Sequence, residues 1–175
     1  MTGDASMTGQ TPTTGQNLTT GQAHRPAIGD DIRRALEIDR SSSAWERTVD
    51  ITTTGRRSGR TRRIETWFYR ADDRLYLSGL PGRRDWAANL QAHPVFTLHV
   101  KHGARADLSA TARPLSDAQE RRRIFSAFVE DVNQPHNPAR IAQPTRLEDW
   151  MADSPLFEVL LDDWRGHAGG THRPH

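Results

Sequence analysis

Arg56, Arg57, Arg60, Arg62 and Arg63 crowd one short stretch, Asp50-Ile-Thr-Thr-Thr-Gly-Arg-Arg-Ser-Gly-Arg-Thr-Arg-Arg63, with Ser58 near its centre. Guanidinium forks bind oxyanions bidentately, and turn amides beside a hydroxyl donate to phosphate oxygens. This is the chemistry of anion recognition. The pattern is not a nucleotide P-loop, because Gly55-Arg-Arg-Ser-Gly59 lacks the Gly-x4-Gly-Lys-Ser/Thr spacing. The plain alternative is a solvated turn whose charges keep the chain soluble. From Ile51 to Arg84 nine arginines stand against Glu65, Asp72 and Asp73, a local +6, whereas from Arg146 to Asp163 six acids face one arginine, a local −5. Such asymmetry assigns anion handling to one end of the molecule. All of the 24 basic residues except Lys101 are arginine. A GC-rich genome also produces that bias, so the clustering carries the argument and the count does not.

Other candidate groups carry less. His93, His99 and His102 invite a metal reading, yet His93 precedes Pro94 at a helix end, and His99 and His102 straddle a hairpin. With no carboxylate at conventional spacing, structural or surface roles are expected and no metal site. His167, His172 and His175 fall in a tail. The absence of cysteine excludes disulfides, thiolate chemistry and cysteine metal sites. No catalytic triad is legible. Trp67 and Tyr69, close to the arginines, raise a nucleic-acid-binding barrel as a competing class. Against it, the basic residues gather at one tip rather than along a groove, and Trp67 lies inside a strand.

The elements that position these groups follow from pattern. Val49, Ile51 and Thr53 alternate with Asp50, Thr52 and Thr54, a strand. Gly55 and Gly59 bracket a sharp turn. Beyond it Ile64, Thr66 and Phe68 face one way and Glu65, Trp67 and Tyr69 the other. Ala71-Asp72-Asp73 turns into a strand with Leu75 and Leu77 on one face. A loop from Gly79 leads to a helix over 84–91 with Trp86 and Leu90 at i, i+4, ended by Pro94. Residues 95–101 and 105–115 form a hairpin turning at His102-Gly103. Ser116-x-x-Gln119 reads as a capping box for a helix to about Val129, burying Ile124, Phe125 and Phe128. Thr145-x-x-Glu148 reads as the cap of a short helix with Leu147 and Trp150, and 155–161 as a last apolar strand.

Asp30-Asp31 starts a helix with Ile28, Ile32, Ala35 and Leu36 on one stripe, fading at Ser41-Ser42-Ser43 and shielding the barrel. Residues 1–26 repeat Thr-Gly-Gln three times and read as a disordered tail, 27–165 as one domain, and 166–175 as a flexible tail. No stretch approaches the roughly 20 apolar residues of a membrane span. No apolar leader is visible, so a cytoplasmic protein is expected. About six antiparallel strands with connecting helices suit a small barrel.

Thr-Thr-Gly-Arg-Arg-Ser-Gly-x-x-Arg (Thr53 to Arg62), Ser78-Gly79, Trp86-x-x-Asn89-Leu90-x-x-His93-Pro94 and Asp107-Leu-Ser-Ala-Thr-Ala-Arg-Pro114 together resemble the deazaflavin-dependent nitroreductase and quinone reductase family. The likeness is good from Thr48 to Leu115 and thinner to Leu161. It implies an α+β, mainly β fold: a split β-barrel of about six antiparallel strands with short connecting helices. It also implies an oxidoreductase that transfers a hydride from reduced coenzyme F420, an 8-hydroxy-5-deazaflavin, to a small flat electrophile such as a quinone or nitro compound. The coenzyme's phosphate and acidic tail would lie against Arg57, Ser58 and Arg62, with Arg56 and Arg60 outside them. Ser78 and Gly79 would bring backbone amides to the ring, and Trp86 would stand beside it; by spacing alone Trp86 is equally a core anchor for its helix. No catalytic residue is expected, because the cofactor carries the hydride chemistry.

Two departures from the family stand out. A lysine common after the serine is Gly79 here, leaving Arg83 or Arg84 as the replacement charge. Nitroreductase members carry tyrosines in their C-terminal half, and this chain has none after Tyr76, which makes a quinone or another flat electrophile the broader expectation. FMN or haem on the same barrel, or a deazaflavin carrier without turnover, are the alternatives. The family also suggests peripheral membrane contact by the N-terminal helix and a homodimer. The apolar strand Leu156–Leu161 would then serve an interface or close the barrel.

Overall fold

The computed structural model describes residues 28–135 and 145–162. The Thr-Gly-Gln tail, His136 and the tail histidines lie outside them. Helix α1 (Asp30–Ala35) leads into β1 (Thr48–Thr54), β2 (Thr61–Ala71) and β3 (Arg74–Ser78). Then come α2 (Asp85–Ala92), β4 (Val95–Val100), β5 (Ala106–Pro114), α3 (Ala118–Val132), α4 (Leu147–Asp153) and β6 (Leu156–Leu161). The six strands form a closed antiparallel barrel in the order β1-β2-β3-β6-β5-β4, the split barrel expected from the sequence. Strand β6 therefore closes the barrel between β3 and β5, where Ser78 pairs Leu156 and Ala112 pairs Val159.

The period-two pattern explains how the barrel fills. Val49, Ile51, Phe68, Leu77, Leu98, Ala110 and Phe157 point inward into one continuous cluster. Ile28, Leu36 and Ile38 join it from the α1 side, and Trp86 and Leu90 from α2. The opposite face of β2 and β3 carries Tyr69 and Tyr76, which lie with Phe125, Phe128 and Trp150 of α3 and α4 in a second cluster. Tyr69 stacks on Phe128 with ring centroids 4.4 Å apart. Burial pushes the hydroxyl pKa of both tyrosines up. Between β2 and β3, Asp72 and Asp73 both take positive φ (49° and 58°), the backbone of a two-residue hairpin turn that matches strand twist.

Local reading fails at four helix ends. Helix α1 stops at Ala35 rather than fading at Ser41, because Asp39 and Ser42 hydrogen-bond their own neighbourhood, Ser41 N to Asp39 Oδ1 at 2.7 Å and Asp39 N to Ser42 Oγ at 3.0 Å. Helix α3 is capped by Asp117, not Ser116: its carboxylate accepts Glu120 N at 2.8 Å. The helix then runs past Val129 to Val132, which extends its buried stripe. Thr145 does not cap α4; its amide and hydroxyl both go to Asn133 Oδ1, at 2.9 and 3.1 Å. Asp117→Ala is expected to cost on the order of 1 kcal/mol in urea denaturation, with Ser116→Ala neutral, since only the residue that accepts an orphan amide contributes a cap.

Candidate anion-binding site

The turn between β1 and β2 is tightly wound. Gly55 N–H donates to Arg60 O at 2.9 Å and Gly59 N–H to Gly55 O at 2.8 Å. A Cβ on Gly55 would stand 2.8 Å from Ser58 Oγ and 3.1 Å from Arg60 O, so a side chain there would force both the Ser58 hydroxyl and the turn backbone to shift. Gly59 has φ +65°, which glycine adopts without strain. The Ser58 hydroxyl accepts Arg60 N–H at 3.4 Å. Among the described residues, nothing pairs with the guanidiniums of Arg57, Arg60 and Arg62 or accepts the amides of Arg57 and Ser58. Free amides and free guanidiniums at one turn are the groups an oxyanion needs.

Arg63 is different. It pairs with Asp50 at 3.0 Å, and Asp50 also takes Lys101 at 2.6 Å. The Lys101 hydrogen bond, helped by Arg63, holds the Asp50 carboxyl below its usual range. Strand alternation puts Arg63 on the outer wall beside Asp50, while Arg62 shares the face of Ile64, which packs on the barrel interior. Arg62 thus projects at the rim of the interior.

The other residues singled out from the sequence gather at the same end. Strand direction brings the β1–β2 turn, the end of β3 and α2 together there. Asn89 of α2, buried, accepts Arg56 N–H on Oδ1 at 3.0 Å and donates from Nδ2 to Thr53 Oγ1 at 3.2 Å. Arg56 also reaches the exposed Asp85 at 3.7 Å. The Ser78 hydroxyl donates to Pro155 O at 2.7 Å, so its side chain fastens β3 to β6 while its backbone forms the strand end. Gly79 faces α2: a Cβ there would lie 3.4 Å from Arg84 Nε and 4.0 Å from Trp86 Cζ2. Of the two candidate replacement charges, Arg84 is the one at Gly79; its Nη2 donates to Leu80 O at 3.0 Å, and Arg83 is exposed. Trp86 is buried with its ring 6.0 Å from Phe157, a core anchor whose edge also borders Gly79.

The clamp made by Asn89 and Thr53 carried no assigned role in the sequence. Its signal was a carboxamide one residue before Leu90 on the buried side of a short helix. Among the described residues no cluster of three or more metal-ligating side chains occurs. His99 lies between Thr52 Oγ1, 2.8 Å from Nε2, and Asp107 Oδ1, 2.5 Å from Nδ1, a carboxylate that sequence spacing had not offered. His102 packs against Trp45 with ring centroids 3.7 Å apart and the planes tilted by 35°, and burial lowers its pKa. Tyr69 is buried and Trp67 is packed on the α3–α4 cluster, so neither is free to stack on a base. No helix among the described residues is long and apolar enough to cross a membrane.

Solved structures share the fold. A conserved hypothetical protein from Mycobacterium tuberculosis aligns with TM-score 0.52 at 13% identity, covering 78% of this chain and 82% of that one. A putative pyridoxamine 5'-phosphate oxidase from Listeria innocua gives 0.50 at 12% identity, covering 76% and 92%. The haem storage protein HutZ from Vibrio cholerae gives 0.50 at 13% identity, covering 78% and 92%. At such identities the likeness extends to the barrel alone. No curated protein sequence matches the chain. The model of the F420H(2)-dependent quinone reductase family, however, matches residues 32–140, which hold the arginine turn, the β3 end, α2 and five of the six strands, and the chain belongs to that family.

Proposed function

We propose that the protein is a reductase that holds coenzyme F420 at the arginine-turn end of its barrel and reduces a quinone or another small flat electrophile. The binding unit of this reading is the domain 27–165. The observation that carries it is the set of donors at the turn that have no partner among the described residues, the guanidiniums of Arg57, Arg60 and Arg62 with the amides of Arg57 and Ser58, beside Gly55, where an added side chain would crowd Ser58 Oγ and Arg60 O. These groups suit a phosphodiester and a run of carboxylates. Arg57, Ser58 and Arg62 would hold that anionic part, with Arg56 and Arg60 outside them. The backbone of Ser78 and Gly79 would border the ring, and Trp86 with Phe157 would form a dry wall behind Gly79.

When bound in its reduced form, the coenzyme supplies the hydride. The protein's part is then to orient two flat partners and exclude water, which needs no acid–base triad. Tyr69 and Tyr76 are committed to the α3–α4 cluster, so no tyrosine supports nitro reduction in particular.

Titration with oxidised coenzyme F420 and, in parallel, FMN, followed by fluorescence, is expected to show binding of the deazaflavin in preference to FMN. FMN binding alone would move the protein to a flavin role on the same barrel. Binding of neither would remove the reading, and an oligonucleotide titrated at increasing salt would then test the nucleic-acid alternative.

A further inference from the structure

Asn89 is a polar residue in an apolar place. It lies on α2 between Trp86 and Leu90, both buried in the barrel cluster, and is itself only 6% exposed. A carboxamide there must spend its donor and acceptor or be left unsatisfied. Both go to one short segment: Oδ1 to the Arg56 amide and Nδ2 to the Thr53 hydroxyl, which is also buried. These partners stand on either side of Thr54-Gly55, at the entrance to the turn.

The exit is held separately, by Gly55 N–H on Arg60 O. One side chain on α2 thus sets the angle at which the turn leaves β1. Because α2 also carries Trp86, which borders Gly79, the same helix sets where the arginines lie relative to the β3 end. The pair of half-buried Arg56 with exposed Asp85, at 3.7 Å, adds a weaker tie from the first turn of α2. A leucine would fill the volume of Asn89 as well and would hold the core; it could not hold the turn.

We infer that Asn89 is a positioning residue: it fixes the arginine turn relative to α2, so that a ligand's phosphate and its ring are registered at a set separation. The inference rests on the deazaflavin reading. It separates from a structural role because its effect falls on one part of the ligand. Full-length protein and the variants Asn89→Leu and Thr53→Val are titrated by fluorescence with intact coenzyme F420 and with its unphosphorylated deazaflavin chromophore. Asn89→Leu is expected to weaken the intact coenzyme about tenfold, the scale of removing one charge-assisted hydrogen bond, and the chromophore less than about twofold. Thr53→Val, of nearly unchanged shape, removes only the Nδ2 acceptor and is expected to give a smaller loss, again confined to the intact coenzyme. It decides the matter if Asn89→Leu does not fold.

Equal losses for both ligands, or none for either, would overturn the positioning role. If the unsubstituted protein binds the two ligands equally tightly, the phosphate makes no contact and the deazaflavin reading of the turn fails first.

Discussion

Arg57→Ala/Arg62→Ala is expected to bind coenzyme F420 about a hundredfold more weakly than the unsubstituted protein, with the same melting temperature. A hydrogen bond to a charged group contributes on the order of 1.5–3 kcal/mol, and about 1.4 kcal/mol is tenfold in affinity. Both side chains are exposed, so water and salt screen them and the lower figure applies to each. Two such contacts amount to about 3 kcal/mol, hence the hundredfold. Stability should not follow, because neither guanidinium has a partner among the described residues. Fluorescence titration at two salt concentrations checks the origin of the effect: added salt should weaken the unsubstituted protein more than the variant. Arg63→Ala is the internal control, since Arg63 is committed to Asp50 on the outer wall and its loss should leave affinity unchanged. Undiminished affinity in the double variant would place the anion elsewhere.

The largest effect on folding is expected from Arg47→Ala, a loss of about 3–5 kcal/mol in urea denaturation. Arg47 is buried, and its guanidinium pairs with Asp131 of α3 while donating to the carbonyls of Asp39 and, at 2.9 Å, Ser42. It therefore ties the segment after α1 to the far end of α3. Truncation strands a carboxylate that is 15% exposed, with Gln134 at 3.2 Å as its remaining donor among the described residues, and takes a donor from two carbonyls, of which that of Asp39 keeps the Ser42 amide at 3.2 Å. The cost is chiefly that of the unpaired charge, so Arg47→Ala/Asp131→Ala should cost less than the sum of its single changes. Additive losses would mean that the pair itself contributes little. Against the 5–15 kcal/mol typical of a whole domain, roughly a third of the stability is at stake.

Much of the architecture was readable because one short-range rule repeats along the chain. The alternation Val49, Ile51, Thr53, the glycine-bracketed turn and the Asp72-Asp73 turn each state a strand or a reversal within a few residues. Closure was not readable in that way: Leu156–Leu161 is equally apolar as an interface or as a barrel strand, and only its pairing with β3 and β5 decides. Helix caps were misread where two local signals overlap or a distant partner intervenes. Ser116-x-x-Gln119 and Asp117-x-x-Glu120 are both well-formed, and Asn133 claims the Thr145 side chain from twelve residues away. The arginines were legible as a candidate anion site by chemistry alone. Which of them are uncommitted was not, because Asp50, which occupies Arg63, sits thirteen residues away across the hairpin.

The closing position of β6 also bears on how the chain reaches its native state. β3 is made early and its edge waits for a partner about eighty residues later, Ser78 for Leu156. Until then β3 and β5 each present a row of unpaired amides and carbonyls, the template on which nascent chains join one another. Pairings so distant in sequence carry a loop-closure cost before they return any stabilisation, which slows folding. A growing chain on the ribosome therefore passes through an open sheet, with Leu75 and Leu77 beside a missing strand. In this barrel the interval before the last strand emerges is the period of greatest exposure to aggregation and to chaperones.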